Sequence, residues 1–217
     1  MGIHSLRYHL LVLVLTATAA MARASAPPDR KPHGKDTTTS TPQTPPNWLV
    51  TYNEERLDRG TRAMTALTIW GGMNVVAGAI GWPLADDEQW QSFHAMNLAW
   101  GAVNLAIAIP ALVRNLNADP AKISLADTLS SEESLTSVLL LNVGLDVAYV
   151  TAGALLWERG DFGGDPLLTG MGQALILQGA FLMAFDIVFA VLTSDAKAHL
   201  YTQMREGGGE VGFRGRF

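Results

Sequence analysis

Two carboxylic acids, Asp146 and Asp186, stand in the middle of long apolar stretches that contain no lysine or arginine to neutralise them. An acid at that depth is expensive, so it is retained for a partner or a function, and intramembrane acids commonly mark proton or ion pathways. Two acids brought together could share a proton, act as an acid and base, or hold a cation. Amides accompany them at helical spacing. His94, Asn97, Gly101 and Asn104 fall on one stripe, and Gly71, Asn74, Gly78 and Gly81 on a second. Asn142, Asp146, Tyr149 and Gly153 form a third. Gly179, Met183, Asp186 and Ala190 form a fourth, with Gln178 to one side. A 3.6-residue period turns each stripe to one helix face. The candidate polar or ion site is therefore Asp146, Asp186, Asn74, Asn104, Asn97, Asn142, His94, Gln178 and Tyr149.

Each of these residues has a plainer reading. Asn74, Asn97, Asn104, Asn142 and Gln178 could serve only to join helices, because amides bond across small-residue interfaces in membranes. Asp146 and Asp186 could be structural acids held by Asn or His. His94 reads as a structural histidine near a helix start, with proton relay as the alternative. Trp70 and Trp100, four residues before Asn74 and Asn104, read as packing residues rather than a ligand cage.

The elements that must position these groups are four apolar stretches, at about 64–82, 93–113, 135–157 and 171–192. Crossing a hydrocarbon core takes roughly 20 apolar residues in a helix. The expected fold is all-α, an antiparallel four-helix transmembrane bundle over 51–205. Thr51-x-x-Glu54 and Ser130-x-x-Glu133 have the form of capping boxes and are expected to open helices 1 and 3. Helix 1 is expected to stop at Trp82-Pro83, and Pro110 to kink helix 2. Asp119-Pro120 is expected to open a short amphipathic connecting helix, and Asp165-Pro166 to start helix 4. Trp82, Trp90 and Trp157 are placed at one membrane face, and Trp48, Tyr52 and Tyr201 at the other. Gly72-Met73-Asn74 aligns with Gly144-Leu145-Asp146, and Asn104 with Asp186, as two hairpins of one parent would.

Residues 1–24 read as a signal peptide: Arg7, an apolar run Leu10–Ala20, then Ala22-Arg23-Ala24 as a cleavage site. The Pro- and Thr-rich segment 25–50 reads as a disordered tether, and 206–217 as a disordered tail. A cleaved signal puts both termini on the periplasmic face of a bacterial inner membrane. Of 15 Lys and Arg, all but Arg7, Arg23 and Arg159 then lie on that face. The positive-inside rule points the other way. The three-part signal pattern is the more specific of the two, and the periplasmic N-terminus is the orientation adopted.

Composition excludes several classes. Charged residues are 16% of the chain, below the roughly 25% of soluble domains, as a membrane protein would have it. With no cysteine there is no disulfide, thiol chemistry or thiolate metal site. His94 is the only histidine within the spans, which argues against paired-histidine haem and di-iron sites. No P-loop, G-x-S-x-G or H-E-x-x-H occurs, and no cofactor or metal is implied. A net charge of −5 gives no case for nucleic acid. The expected partners are the lipid bilayer and a homo-oligomer or membrane complex.

One resemblance emerges from the spans. Phe93-His94-x-Met96-Asn97-x-x-Trp100-x-x-Val103-Asn104 and Leu141-Asn142-x-Gly144-Leu145-Asp146-x-x-Tyr149 carry it. So do Glu158-Arg159-Gly160 and Leu177-Gln178-Gly179-x-Phe181-Leu182-x-x-Phe185-Asp186. Together they resemble an uncharacterised bacterial four-span membrane family, a domain of unknown function whose members typically begin with a signal peptide. The resemblance covers about Tyr52–Thr193 and implies no activity. The functional expectation is a non-enzymatic integral membrane protein with a buried Asn/Asp layer that handles a proton, a cation or a small polar ligand. A structural subunit whose layer only sets helix register is the competing class, and an intramembrane enzyme using paired aspartates is a remote one.

Overall fold

The computed structural model describes residues 45–212, with side chains in its last helix as far as Arg205. The signal peptide, most of the tether and the end of the tail lie outside the described residues. Four helices follow one another: α1 (Asn47–Leu84), α2 (Glu88–Leu116), α3 (Leu125–Gly163) and α4 (Pro166–Gly212). A single 3-10 turn, Pro120–Lys122, lies between α2 and α3, and no strand occurs among the described residues. Each helix contains a window long and apolar enough to cross a membrane. The helices alternate in direction, as expected.

The caps correct three local expectations. Thr51 and Glu54 do not open α1, which begins at Asn47 after Pro46 without a side-chain cap, so the tether ends before 50. Leu49, Tyr52 and Asn53 are buried there, and tertiary packing carries the helix past its local signal. Ser130 and Glu133 lie inside α3. Its cap is Ser124, whose Oγ accepts from the Asp127 N–H and donates to Asp127 Oδ2. The expected connecting helix is one 3-10 turn, capped by Asp119. Asp165 starts α4 as expected, its Oδ1 accepting from the Leu167 and Leu168 N–H groups, and Asp87 caps α2 by accepting from the Trp90 N–H. Gly164 closes α3 at φ 62°, a left-handed conformation that glycine adopts without penalty. α2 continues through Pro110 to Leu116.

α1 packs along α2, and α3 along α4. The two hairpins join chiefly through α2 and α4, which run in the same direction, while α1 meets α4 only lightly. Each hairpin closes on a pair of glycines. A Cβ on Gly101 would stand 2.7 Å from the Gly71 carbonyl oxygen, and one on Gly153 2.8 Å from that of Gly172. No side chain fits at these crossings, so the backbones meet directly.

Burial is inside-out relative to a soluble domain. Ile69, Met73, Val76, Leu140, Val188 and Val191 are exposed, whereas Asn74, Asn97, Asn104, Asp146, Gln178 and Asp186 are buried. Apolar surface of this extent suits lipid tails better than water. Trp82, Trp90 and Trp157 are half-exposed, as an interfacial belt requires. Tyr52 is a correction: it is buried at 3% exposure and points at an acid. α1, α3 and α4 outrun their apolar stretches mainly at one end, the terminal end, where α1 begins and α4 finishes. Their overhangs build a polar annex there.

Candidate functional site

The nine candidate residues do not form one site. The structure sorts them into a paired amide layer, an acid layer about 11 Å further along the bundle (seven to eight residues at 1.5 Å each), and a histidine outside both.

Gln178 on α4 anchors the amide layer and is fully buried. Its Nε2 donates to Asn74 Oδ1 at 2.7 Å and to Asn97 Oδ1 at 2.6 Å. Its Oε1 accepts from Trp70 Nε1 at 3.0 Å. The amides of Asn74 and Asn97 donate to the carbonyls four residues earlier, of Trp70 and Phe93. The Trp70 ring stacks on Phe181 at 3.9 Å. Three helices are thus tied at one height. Trp70 was expected to be a packing residue, but it is also a hydrogen-bond donor. An indole N–H in an apolar span needs a partner, and that was the available signal.

Asp146 on α3 and Asp186 on α4 face each other within hydrogen-bonding reach. Carboxylates only accept, so a bond between them requires one to hold a proton. The Asn142 amide lies within hydrogen-bonding reach of Asp186, and Tyr149 lies beside Asp146. Trp100 meets the Tyr149 ring edge-on at 5.0 Å. From that contact Asn104 and Asp146 each lie one turn further toward the termini, which sets them at one depth.

The acid layer differs from the amide layer in its unpaired atoms. Asp146 Oδ2 has no N–H donor, and Asn142 Oδ1, Asn104 Nδ2 and Trp100 Nε1 have no hydrogen-bond partner among the described residues. Beyond them the Thr193 hydroxyl is buried at 1% exposure and also unpaired. Leaving such groups unpaired in a low-dielectric interior costs roughly 1–3 kcal/mol each. All the unpaired buried side-chain atoms among the described residues lie on the terminal side of the amide layer. On the opposite side the polar groups are satisfied: Gln89 donates to Gln173, Ser92 to the Leu167 carbonyl, and Thr169 to Asp161.

His94 joins neither layer. It is half-buried beside Gly81, with Trp90 and Phe93 around it, a structural setting. No group of three or more His, Asp or Glu that could hold a metal occurs among the described residues.

The terminal annex holds polar residues that the sequence did not single out. Glu132 is 1% exposed, and its Oε1 accepts from the Tyr52 hydroxyl at 2.9 Å and from Arg59 Nη2 at 2.7 Å. Burial, then the neighbouring Glu132 charge, push the Tyr52 phenol above its ordinary range. Asn53 donates to the Pro120 and Ile123 carbonyls and accepts from the Thr128 hydroxyl, which locks the 3-10 turn to α1 and α3. Lys197 donates to Thr136, one turn along α3 from Glu132.

Residues 66–187, more than half of the chain, match a family described as a family of unknown function (DUF6992). The matched segment contains both buried layers. No curated protein and no solved structure matches the chain.

Proposed function

Since the chain belongs to that family of unknown function, we propose its role from its own residues: a non-enzymatic integral membrane protein that holds and relays a proton at the Asp146–Asp186 pair. The observation that carries this reading is the mixture of unpaired atoms around the acids. Asn104 Nδ2 and Trp100 Nε1 are donors, whereas Asp146 Oδ2 and Asn142 Oδ1 are acceptors. A bare cation uses acceptors only. A water molecule uses both, and buried waters characteristically bridge about three such groups. A water beside two acids that share a proton is the elementary unit of a relay. We place the protein in a bacterial inner membrane with its N-terminus periplasmic, on the strength of the signal pattern in residues 1–24. In that orientation the acids communicate with the periplasmic end, where the unpaired atoms lie, and the amide layer closes the other end.

The competing role, a subunit of a membrane assembly whose polar layer sets helix register, draws on the amide layer alone, where every bond is made. The two readings separate in one experiment. The full chain is reconstituted into vesicles loaded with a pH-sensitive dye, and a pH step is applied outside. Wild type is expected to pass protons, and Asp146→Asn and Asp186→Asn to stop the flux while remaining folded. Flux that is no faster than in empty vesicles, or that survives both substitutions, sinks the relay and leaves the register role.

A further inference from the structure

The annex around Glu132 holds more positive charge than its one buried acid can balance. Glu132 Oε1 is fully used by Tyr52 and Arg59. Arg56, one turn before Arg59 on α1, makes no hydrogen bond among the described residues, and its Nε is buried. It lies within electrostatic reach of Glu132, of Arg59 and of Arg114 at the end of α2. Burial first, and the two neighbouring arginines after it, push the Arg56 guanidinium below its ordinary range, while Glu132 and Tyr52 oppose them. Of the other acids on this part of α1, Asp58 is taken by Arg62, and Glu54 and Glu55 are exposed. Arg56 thus has two further guanidiniums and one buried carboxylate within reach, the end of α2 being held beside α1 where Asn115 meets Gly60. Partial burial of a guanidinium without an anion is destabilising, and mutual repulsion adds to the cost.

A second unpaired atom refines the picture. Glu132 Oε2 is buried and accepts from no donor among the described residues. The cluster thus lacks an anion for Arg56 and a hydroxyl or N–H donor for Glu132. A single bridging water would satisfy one donor and one acceptor but leave the charge unbalanced. The cluster also stands at a particular height. Arg114 directly follows the apolar stretch 93–113, and Arg59 and Arg56 precede Met64 by about 8 and 12 Å along the helix. The headgroup layer extends roughly 5–8 Å beyond each side of the hydrocarbon core. Glu132, three residues or about 5 Å before the stretch 135–157, holds Arg59 at that height.

We propose that Arg56, Arg59, Arg114 and Glu132 form a binding site for a phosphate group that carries a hydroxyl. The guanidiniums take the anionic oxygens, in the planar geometry that suits arginine and phosphate. Glu132 Oε2 accepts from the hydroxyl. A phosphoglycerol headgroup and free hydrogen phosphate both meet this description. The site is independent of the acid pair and does not rest on the relay reading.

The test uses the full chain in phosphate-free maltoside micelles, with melting followed as dioleoyl-phosphatidylglycerol, dioleoyl-phosphatidylcholine or inorganic phosphate is added at matched chloride. Phosphatidylglycerol is expected to raise the Tm of wild type saturably, and phosphatidylcholine to do so by less than half as much. Arg56→Gln and the exposed Arg114→Gln are expected each to lose at least half of the shift. Arg159→Gln, at the opposite end of the bundle, is expected to keep it. A matching rise with inorganic phosphate identifies the free anion as sufficient, and a rise with phosphatidylglycerol alone identifies the lipid. Without any phosphate, Arg56→Gln is expected to melt no lower than wild type, since it sheds an uncompensated charge. The proposal is overturned if neither phosphatidylglycerol nor inorganic phosphate shifts wild type, or if phosphatidylcholine equals phosphatidylglycerol. It also falls if Arg56→Gln melts lower without phosphate yet keeps the full shift, which would make Arg56 a structural partner of Glu132.

Discussion

The amide layer and the acid layer use similar residues on the same helices, yet they are built to different standards. Gln178, Asn74, Asn97 and Trp70 satisfy one another across three helices. One to two turns further on, Trp100, Asn104, Asp146 and Asn142 leave buried donors and acceptors unpaired. A bundle that needed polar groups only to fix helix register had a complete solution in the first layer. The second layer costs stability, and proteins retain such costs where function needs them. The difference teaches that buried polarity by itself does not mark a site. Unmet hydrogen-bonding capacity does.

Substitutions can break or sharpen this contrast. The largest effect is expected from Gln178→Leu, which strips partners from Asn74 Oδ1, Asn97 Oδ1 and Trp70 Nε1 at once. At roughly 1 kcal/mol per group, the loss should be about 3 kcal/mol in detergent unfolding, tempered because an unfolded chain in lipid also finds partners. Asn97→Ala removes one of the two acceptors of Gln178 and should cost about 1 kcal/mol by the same measurement. Asp146→Asn should lie within about 0.5 kcal/mol of wild type or above it, because an amide can donate to Asp186 without a shared proton. Thr193→Val should be the smallest change, a gain of a few tenths of a kcal/mol in Tm-derived stability, since it replaces an unpaired buried hydroxyl with a methyl group. If Asp146→Asn proved as damaging as Gln178→Leu, the two layers would be alike and the contrast would fail.

Much of the architecture was legible because lipid and helix period impose a simple code. Inward faces had to carry Gly, Asn and Asp while Ile69, Val76 and Val188 faced out, so four spans and their buried stripes followed from spacing. The partition of those stripes did not follow. Asn74 and Asp146 align as equivalents in the two hairpins, yet Asn74 bonds Gln178 while Asp146 meets Asp186. Which amide meets which is set by the relative slide of the hairpins, a tertiary quantity. The annex was missed for a related reason. Glu132 sits among Ser130, Ser131 and Glu133 and looks solvated, and Tyr52, the partner that buries it, is 80 residues away. The boxes at Thr51 and Ser130 misled because local capping signals yield to a longer helix with something to pack against.

The glycine crossings have a consequence for assembly. Gly71 with Gly101, and Gly153 with Gly172, close each hairpin from within its own sequence. Each half can therefore insert into the bilayer as a finished unit, and their union is left to the later meeting of α2 and α4, in the manner of two-stage membrane folding. The bonds that complete this union come from Gln178, which reaches Asn74 and Asn97, and from Glu132 and Thr128, which meet Tyr52, Arg59 and Asn53. The peptide between α2 and α3 is held at its 3-10 turn by Asn53, a contact that does not require the chain to be continuous before Pro120. Two separately translated halves, divided within 117–119, should find each other in the membrane and rebuild the whole.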